Sequence, residues 1–448
     1  MRSQFGLALL LVALAGCGGG SSSVTTITGG GAGAGQLGPV VALDTPSGPN
    51  TTEIVVDSGP SGFALGVSNV AYVTVTVCSP GSVTNCATID HVILDTGSIG
   101  FRVLKSAVAK LGLAPVALPA DAASATPAGP AVECFAFVVG ALWGPLAKAD
   151  LRIGGELAEA LPIQLIDDSN PPAYTAPKDC NYAAGTSGLL NSVSALQANG
   201  VLGVGMIKYD CGQECVTGNY AALVHPPYYA CPSTPSSCVP AAVPAALQVQ
   251  NPVVFFVTNG DGTKDDNGTI ILLPSTPEYG ASVAKGRLVF GIGTQTNNQL
   301  QPTTEMLTVD SNPLSSTYLY LSAAVGGKTY TNSYIDSGSN ALFFDDTSLP
   351  TRCQSSSGSS GGWYCPTTTR AFSATLTSPS GPGAPVNFSV ANADALFLVS
   401  NMAFSNLAGT AGQGVDTFVW GLPFFYGRAV YTSIWGQALS ANGPWVAF

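Results

Sequence analysis

The chain has 448 residues, which is enough for two or three domains or for one large unit with an extensive core. Its 15 Lys and Arg residues against 26 Asp and Glu residues give a formal net charge of −11, and only 9% of the residues are charged. This balance offers no basic surface for a phosphate backbone, so no nucleic-acid partner is expected. The 53 Gly and 32 Pro residues, set among short apolar runs, favour short strands and frequent turns and predict a mostly β protein.

The N-terminus has the pattern of an export signal. Arg2 precedes an apolar segment, residues 5–14, that is too short to be retained as a membrane-spanning helix. The sequence Leu14-Ala15-Gly16-Cys17 resembles the bacterial lipobox, which implies removal of a signal peptide, residues 1–16, and acylation of Cys17. In a Gram-negative source, Gly18 after the cysteine would favour passage to the outer membrane. The alternative is an ordinary secretory signal in which Cys17 is lost or left free.

Residues 17–52 are rich in Gly, Ser, Thr and Ala and carry almost no charge. Such a composition cannot bury enough apolar surface to fold, so it predicts a flexible tether. Together with an acylated Cys17, this segment predicts an exported globular body that is lipid-anchored in the bacterial cell envelope.

The ten cysteines after Cys17 are an even number in an exported chain and predict up to five disulfides. Their short separations favour the pairs Cys78–Cys86 and Cys353–Cys365. A further cluster, formed by Cys211, Cys215, Cys231 and Cys238, leaves three pairings open. This cluster lacks the Cys-x-x-Cys spacing of a thiolate metal site, so disulfides are favoured and no metal site is predicted.

Beyond the tether, short runs rich in β-branched and aromatic residues lie between Gly, Pro and Asn and predict strands. These runs are AYVTVTV (71–77), HVILD (91–95), DLRIGG (150–155), VVFFVT (253–258), TIILLP (269–274), RLVFGIG (287–293) and TYLYLSAAV (317–325). Helical periodicity is confined to short pieces such as residues 106–114. The Pro-rich and Cys-rich stretch from about 208 to 244 predicts a disulfide-stapled insertion.

One acidic residue, Asp95, ends the apolar run HVILD and opens the turn Asp-Thr-Gly-Ser; Asp336 repeats this arrangement in YIDSGS. A carboxylate at the end of a buried strand is costly unless it is hydrogen-bonded or shares a proton with a partner. Two such sites can supply each other's partner, with one carboxyl group acting as base and the other as acid. A single copy is more often a polar hairpin turn, but the repetition favours a catalytic dyad.

The residues around each aspartate have separate expected roles. Gly97 and Gly338 allow a tight turn and a close backbone approach. Thr96 and Ser337 can reach across to the opposite loop. The outer oxygens of the two carboxylates can accept hydrogen bonds from Ser98 and Ser339.

With these motifs in this order, the chain resembles the bilobal pepsin-like aspartic peptidases, whose two lobes each contribute an Asp-Thr/Ser-Gly-Thr/Ser loop. Other matching segments are WGPLAKADLRIGG (143–155), NGVLGVG (199–205), NPVVFFVTNGDGTKDDNGTIILLP (251–274) and FVWGLPFFYGRAVY (418–431). The resemblance covers most of residues 70–448. It implies an all-β, bilobal pepsin-like fold with few short helices, an N-terminal lobe over residues 53–276 and a C-terminal lobe over residues 277–448.

The resemblance weakens at the flap, the hairpin that covers the family's cleft. Counting back from Gly144 places Phe137 where the family has its flap tyrosine, and Arg102 stands where its tryptophan partner is common. The sequence therefore predicts either a rebuilt flap, in which Phe137 or Trp143 covers substrate by apolar contact, or a lobe pair that does not cleave peptides.

The sequence thus predicts a membrane-tethered extracytoplasmic aspartic endopeptidase, with Asp95 and Asp336 activating one water molecule. The resemblance is also compatible with a bacterial lipoprotein family built on this fold, in which activity was never selected. The alternative function is an inactive pepsin-like envelope lipoprotein that binds a polypeptide or another ligand in the cleft. The aspartic mechanism needs no cofactor, and no phosphate-binding glycine loop follows a strand and opens a helix. A monomer that acts on, or binds, a polypeptide is expected.

Overall fold

The computed structural model describes residues 39–448, except 44–47, 63–66, 122–125, 184–187, 221–222, 224, 233–237, 261, 303, 352, 354–361, 380, 382, 413–415 and 438–442. The described chain is mostly β with a few short helices, which confirms the predicted all-β class. The signal peptide, Cys17 and most of the predicted tether lie outside the described residues. No helix in the described part is long and apolar enough to cross a membrane.

Most of the described elements are short strands. Those before residue 277 are β1 (Val40–Ala42), β2 (Thr51–Val56), β3 (Ala71–Cys78), β4 (Cys86–Asp95), β5 (Ile99–Leu104), β6 (Ala117–Leu118), β7 (Gly129–Ala136), β8 (Ala141–Ile153), β9 (Glu156–Ile166), β10 (Gly200–Val204), β11 (Tyr228–Ala230), β12 (Val239–Pro240) and β13 (Gly268–Leu272). Those after it are β14 (Val283–Phe290), β15 (Met306–Thr308), β16 (Leu321–Val325), β17 (Lys328–Ile335), β18 (Leu342–Phe344), β19 (Arg370–Thr377), β20 (Gly383–Val390), β21 (Ala408–Gly409), β22 (Thr417–Trp420), β23 (Ala429–Ser433) and β24 (Trp445–Ala447).

The described helices are all short. The α-helices are α1 (Lys178–Ala183), α2 (Val193–Leu196), α3 (Gln213–Thr217) and α4 (Ala393–Phe397), and the 3-10 helices are Lys105–Leu111, Ala245–Leu247, Pro252–Phe255 and Leu422–Phe425. Helix Lys105–Leu111 overlaps the helical piece predicted from residues 106–114. The VVFFVT run, predicted as a strand, begins instead inside helix Pro252–Phe255. There Pro252 occupies the first turn and the Asn251 side chain accepts a hydrogen bond of 3.1 Å from the Val253 amide.

The predicted tether is structured near its C-terminal end. Residues of β1 pair in parallel with β14, with Val40 opposite Val283. Asn50 is fully buried and donates a 2.7 Å hydrogen bond to the Phe290 carbonyl. Because β1 pairs with β14 and Asn50 is buried, this part of the segment belongs to the folded body rather than to a flexible tether.

The described strands form two sheets. The larger sheet has 17 strands and joins elements on both sides of residue 276, because β2 pairs with β14 and β13 pairs with β23. The smaller sheet has 7 strands in the order β20-β19-β16-β17-β22-β18-β21. In β19 buried Ala374 and Leu376 alternate with exposed neighbours, as expected for a strand with one face on the core.

Two three-strand units with the same connectivity end at the two acidic loops. In the first, β10 lies between β4 and β5; it is parallel to β4 and antiparallel to β5. In the second, β22 lies between β17 and β18 with the same two orientations. Each unit therefore places an Asp at the end of its first strand. The loop that this Asp begins lies next to the inserted strand, β10 or β22.

Glycines allow the close approach of these inserted strands. A Cβ atom on Gly203 would lie 2.7 Å from the backbone nitrogen of Ile99. One on Gly421 would lie 2.2 Å from the carbonyl oxygen of Ala341. Because backbone atoms cannot move aside cheaply, larger residues at these positions would push the inserted strands away from the loops.

Ten cysteines of the described chain form five disulfides. The predicted pairs Cys78–Cys86 and Cys353–Cys365 are confirmed. The remaining bonds are Cys134–Cys180, Cys211–Cys215 and Cys231–Cys238, and the last two settle the pairing that the sequence left open. Disulfides of this number are typical of proteins outside the reducing cytoplasm.

The buried side chain of Asn69 links the segment before β3 to the second three-strand unit. Its amide nitrogen donates to the carbonyls of Asn340 (3.0 Å) and Phe404 (2.8 Å). Its oxygen accepts from the Phe404 amide (2.7 Å) and the Tyr426 hydroxyl (3.0 Å). The backbone of Asn69 has φ of 58°, a left-handed conformation that Asn tolerates better than most residues.

We expect Asn69→Ala to lower the free energy of unfolding by about 3 kcal/mol, because it leaves buried polar groups without partners and adds backbone strain. Asn69→Gly is the matched control, since it removes the same hydrogen bonds without the strain and should cost less. Urea unfolding of the disulfide-bonded protein measures both values. An Ala variant as stable as the wild type would show that this link carries no stability.

Candidate active site

The two acidic loops, Asp95–Ser98 and Asp336–Ser339, lie against each other at the ends of β4 and β17. The Thr96 amide donates to the Ser337 hydroxyl, and the Ser337 amide donates to the Thr96 hydroxyl, both at 3.0 Å. The Ser337 hydroxyl also donates to the Leu94 carbonyl at 2.8 Å. This reciprocal exchange fixes the two loops in one relative position.

Each aspartate is held by its own loop in the same way. Asp95 accepts hydrogen bonds from the Gly97 amide at 2.7 Å and from the Ser98 hydroxyl. Asp336 accepts from the Gly338 amide at 2.9 Å and from the Ser339 hydroxyl at 2.5 Å. Both side chains are fully buried. The predicted supporting residues therefore all contact either a carboxylate or the opposite loop.

The two carboxyl groups are hydrogen-bonded to each other. A Cβ atom on Gly97 would lie 2.5 Å from Oδ1 of Asp336, so the glycine makes room for the second carboxyl group. Burial raises the pKa of Asp95, and hydrogen bonds from Ser98 and Asp336 oppose this shift. Burial and the nearby charge of Asp95 raise the pKa of Asp336 well above its usual range. Two buried carboxyl groups this close do not both ionise easily, so the pair is expected to share one proton.

The raised pKa values make stability depend on pH. A carboxyl group whose pKa is higher in the folded than in the unfolded protein binds more protons when folded, so its contribution is lost as pH rises above about 4. We expect the free energy of unfolding to fall by up to about 1.4 kcal/mol per pH unit for each such group while it titrates.

The variant Asp336→Asn should flatten this fall, because its amide can donate the same hydrogen bond and does not titrate. The free energy of unfolding would be measured in urea from pH 4 to pH 8 for both proteins. The exposed residue Asp90 on the same strand as Asp95 provides the control variant Asp90→Asn. Parallel curves for the wild type and Asp336→Asn would contradict a raised pKa of Asp336.

A small cavity lies beside the two loops. It is lined by Thr96, Gly97 and Ser98 of the first loop and by Tyr334 and Ile335 before the second. The rest of its lining includes Phe135, Met206, Asp210, Leu319 and Leu321. Its volume of about 40 Å³ gives room for a few water molecules, at roughly 10–15 Å³ each, but not for a peptide. Access of a polypeptide to the carboxylates would therefore require movement of this lining.

The aromatic side chain of β7 beside the loops is Phe135, two residues before the one suggested by counting back from Gly144. Phe137 stands at the β7–β8 turn, where its amide donates to the Gly140 carbonyl at 2.7 Å. Trp143 is buried away from this cavity: its indole nitrogen donates to the Tyr174 carbonyl at 2.8 Å. The structure therefore places neither Phe137 nor Trp143 in the cavity lining, and Phe135 is the side chain of β7 that reaches it.

Arg102 on β5 stands at the centre of a buried ionic cluster. Its guanidinium donates to the Glu133 carboxylate at 2.6 Å and to the Asp210 carboxylate at 3.0 Å. The Tyr228 hydroxyl donates to Asp210 at 2.8 Å, and the Phe135 ring lies 3.5 Å from the guanidinium carbon. Burial and the charge of Glu133 raise the pKa of Asp210 well above its usual range. This cluster ties the β5 strand of the first loop to β7.

Sequence reasoning identified Arg102 as a departure from the family pattern but did not identify Glu133 or Asp210. The signal available was a charged residue inside an apolar run, Glu133 in AVECFAF, because such a residue needs a buried partner. Strand β7 is also held on both sides, by β8 and by β11 of the Cys-rich insertion. The Cys134–Cys180 disulfide fixes it further.

Two comparisons with known proteins complete the description of the chain. A family model described as "Protein of unknown function (DUF3443)" matches residues 46–448. A search of curated proteins gives no match.

Proposed function

The chain belongs to the DUF3443 family, described as one of unknown function, and we propose from its site that it is an extracytoplasmic aspartic endopeptidase with a pepsin-like fold. The observation that carries this proposal is the pair of buried, mutually hydrogen-bonded carboxyl groups at the ends of two matching three-strand units. Burying two carboxyl groups beside each other costs stability. Two turns with only a structural role would not need that arrangement, so it favours a functional pair.

The bilobal arrangement is part of the proposal. One three-strand unit comes from the proposed N-terminal lobe, residues 53–276, and the other from the proposed C-terminal lobe, residues 277–448. The same connectivity in both units supports an architecture of two related lobes with the dyad at their junction. Strands that join the larger sheet from both lobes would form the connection between them.

In the proposed mechanism, Asp95 acts as the base and Asp336 as the acid. A water molecule attacks the scissile carbonyl carbon and gives one proton to the Asp95 carboxylate, while Asp336 gives its proton to the carbonyl oxygen. Collapse of the resulting diol breaks the C–N bond; the proton on Asp95 passes to the leaving nitrogen, and a diol proton returns to Asp336. Gly97, Ser98, Gly338 and Ser339 hold the carboxylates in place during both steps.

We further propose that the enzyme works outside the cytoplasm as a monomer, attached through a lipid at Cys17. The five disulfides support an extracytoplasmic site, and the lipobox-like sequence before Cys17 supports the anchor. Its substrate would be a polypeptide, with no cofactor required.

We expect cleavage of a denatured protein substrate to be fastest at acidic pH and to decline as pH rises and Asp336 loses its proton. The raised pKa of Asp336 gives the direction of this effect, because the acid form is the one that polarises the carbonyl. Assays of the full-length, disulfide-bonded protein from pH 3 to pH 7, with and without a statine-type inhibitor, would measure it. A cleavage rate that increases toward neutral pH, or that the inhibitor does not reduce, would contradict a two-aspartate mechanism.

A catalytically inactive envelope lipoprotein that binds a polypeptide or another ligand in the cleft is the second candidate. Two observations favour it: the cavity beside the dyad is small, and β7 is held by β8, β11 and the Cys134–Cys180 disulfide rather than standing as a free hairpin. A folded protein that binds the inhibitor or a peptide but never cleaves would support this candidate.

A further inference from the structure

A second cavity lies in the second half of the chain, and no residue of its lining is shared with the dyad cavity. Its lining includes Phe388, Ser389, Ser405, Trp420, Phe424 and Arg428, and we call it the Arg428 pocket. Its volume is about 370 Å³, within the range of small-molecule sites in proteins. The pocket opens to the surface, since Asn387 of its lining is exposed and Arg428 is partly exposed, so a ligand could enter it.

The positive charge of Arg428 in the pocket has no counter-charge among the residues that the structure describes. Arg428 is partly buried, and no carboxylate among the described residues lies within ion-pair distance of it. Burial lowers its pKa, with no acidic neighbour raising it. Arg102, by contrast, is buried against two carboxylates. A desolvated guanidinium without an anion favours an anionic ligand.

The guanidinium is fixed in position before any ligand arrives. One terminal nitrogen donates to the Phe424 carbonyl at 2.6 Å and the other to the Asn387 carbonyl at 3.0 Å. Its central carbon lies 4.7 Å from the centre of the Phe424 ring. An arginine has five N–H donors, so three remain beyond these two bonds, enough for paired hydrogen bonds to a carboxylate.

The aromatic surface that the pocket offers is the partly exposed ring of Phe388. Behind it, the almost fully buried Trp420 ring packs edge to face with Phe388 at 5.3 Å and with Phe424 at 5.5 Å between ring centres. The partly exposed residues Ser389 and Ser405 add hydroxyl groups to the lining. A ligand with a flat apolar body can pack on the exposed part of the Phe388 ring while its charged end reaches Arg428.

We propose that the Arg428 pocket binds a small aromatic carboxylate. One guanidinium matches one carboxylate, and the net charge of −11 on the whole chain disfavours more highly charged anions. The exposed part of the Phe388 ring favours a ring system over a flexible chain, because a rigid ring loses less conformational freedom on binding. This site does not depend on the proposed peptidase activity.

The test uses 2-naphthoate as the probe and its neutral counterpart 2-naphthalenemethanol as the matched ligand. Isothermal titration of the full-length protein in a mild detergent, against detergent blanks, should show naphthoate binding at least about tenfold more tightly than the alcohol. Arg428→Gln should remove most of this preference. The control Arg370→Gln changes an exposed arginine that also lies over a ring, Phe372, and should leave binding unchanged.

A second variant, Ser405→Phe, keeps Arg428 but fills the pocket, and it should weaken binding of both probes. If Arg428→Gln does not fold, the comparison of Ser405→Phe with the wild type provides the test. The proposal is overturned if the wild type binds no naphthoate at millimolar concentration, if the two probes bind equally, or if folded Arg428→Gln or Ser405→Phe binds as the wild type does.

Discussion

Replacing Arg102 by methionine should lower the free energy of unfolding by about 3–5 kcal/mol at neutral pH, because it leaves two buried carboxyl groups without their cation. Methionine keeps much of the side-chain length and can still pack against the Phe135 ring. The decrease in the free energy of unfolding therefore reflects mainly the removal of the positive charge of Arg102. It should be smaller at pH 4 than at pH 7, since protonation of Asp210, whose pKa is already raised, relieves the unpaired charge.

Urea unfolding at the two pH values measures this effect. The control Arg370→Met removes a cation from an exposed site and should change stability by no more than about 0.5 kcal/mol. Adding Glu133→Gln and Asp210→Asn to Arg102→Met should restore part of the loss, because the amides need no cation. A loss below about 1 kcal/mol for Arg102→Met would show that the cluster is not a stabilising link between β5 and β7.

The central part of the site was predictable from the sequence because the same four-residue pattern occurs twice in the chain. Asp95 and Asp336 each end an apolar strand and begin the same four-residue pattern, so each copy supported the other. The segments that contain the inserted strands β10 and β22, residues 199–205 and 418–431, were identified through the family resemblance. The repeated Asp-containing pattern, by contrast, depends only on neighbours in the sequence, which is why it can be read from it.

The surroundings of the dyad were harder to predict because they depend on distant parts of the chain. Arg102 donates a hydrogen bond to Asp210, which lies 108 residues later in the sequence, and no local pattern predicts a contact over that separation. Counting back from Gly144 points to Phe137, which begins the turn between β7 and β8, whereas the side chain of β7 that lines the cavity is Phe135. Four clustered cysteines likewise gave three possible pairings, and only their positions in the fold select one.

The second large effect concerns activity: Asp95→Asn and Asp336→Asn should each reduce the rate of peptide cleavage by at least about 1,000-fold. An amide at position 95 cannot accept the proton of the attacking water. An amide at position 336 can donate a hydrogen bond but cannot transfer a proton to the carbonyl oxygen. Both side chains retain the size of aspartate, so the reciprocal bonds between Thr96 and Ser337 should persist and the variants should fold.

Cleavage of a denatured protein by these two variants, beside the wild type and the exposed control Asp90→Asn, is therefore the most direct measurement. The proposed function predicts acid-dependent cleavage by the wild type and the control, and none above background by either dyad variant. If the folded wild type cleaves nothing between pH 3 and pH 7, or if either dyad variant cleaves as fast as the wild type, Asp95 and Asp336 are not a catalytic pair.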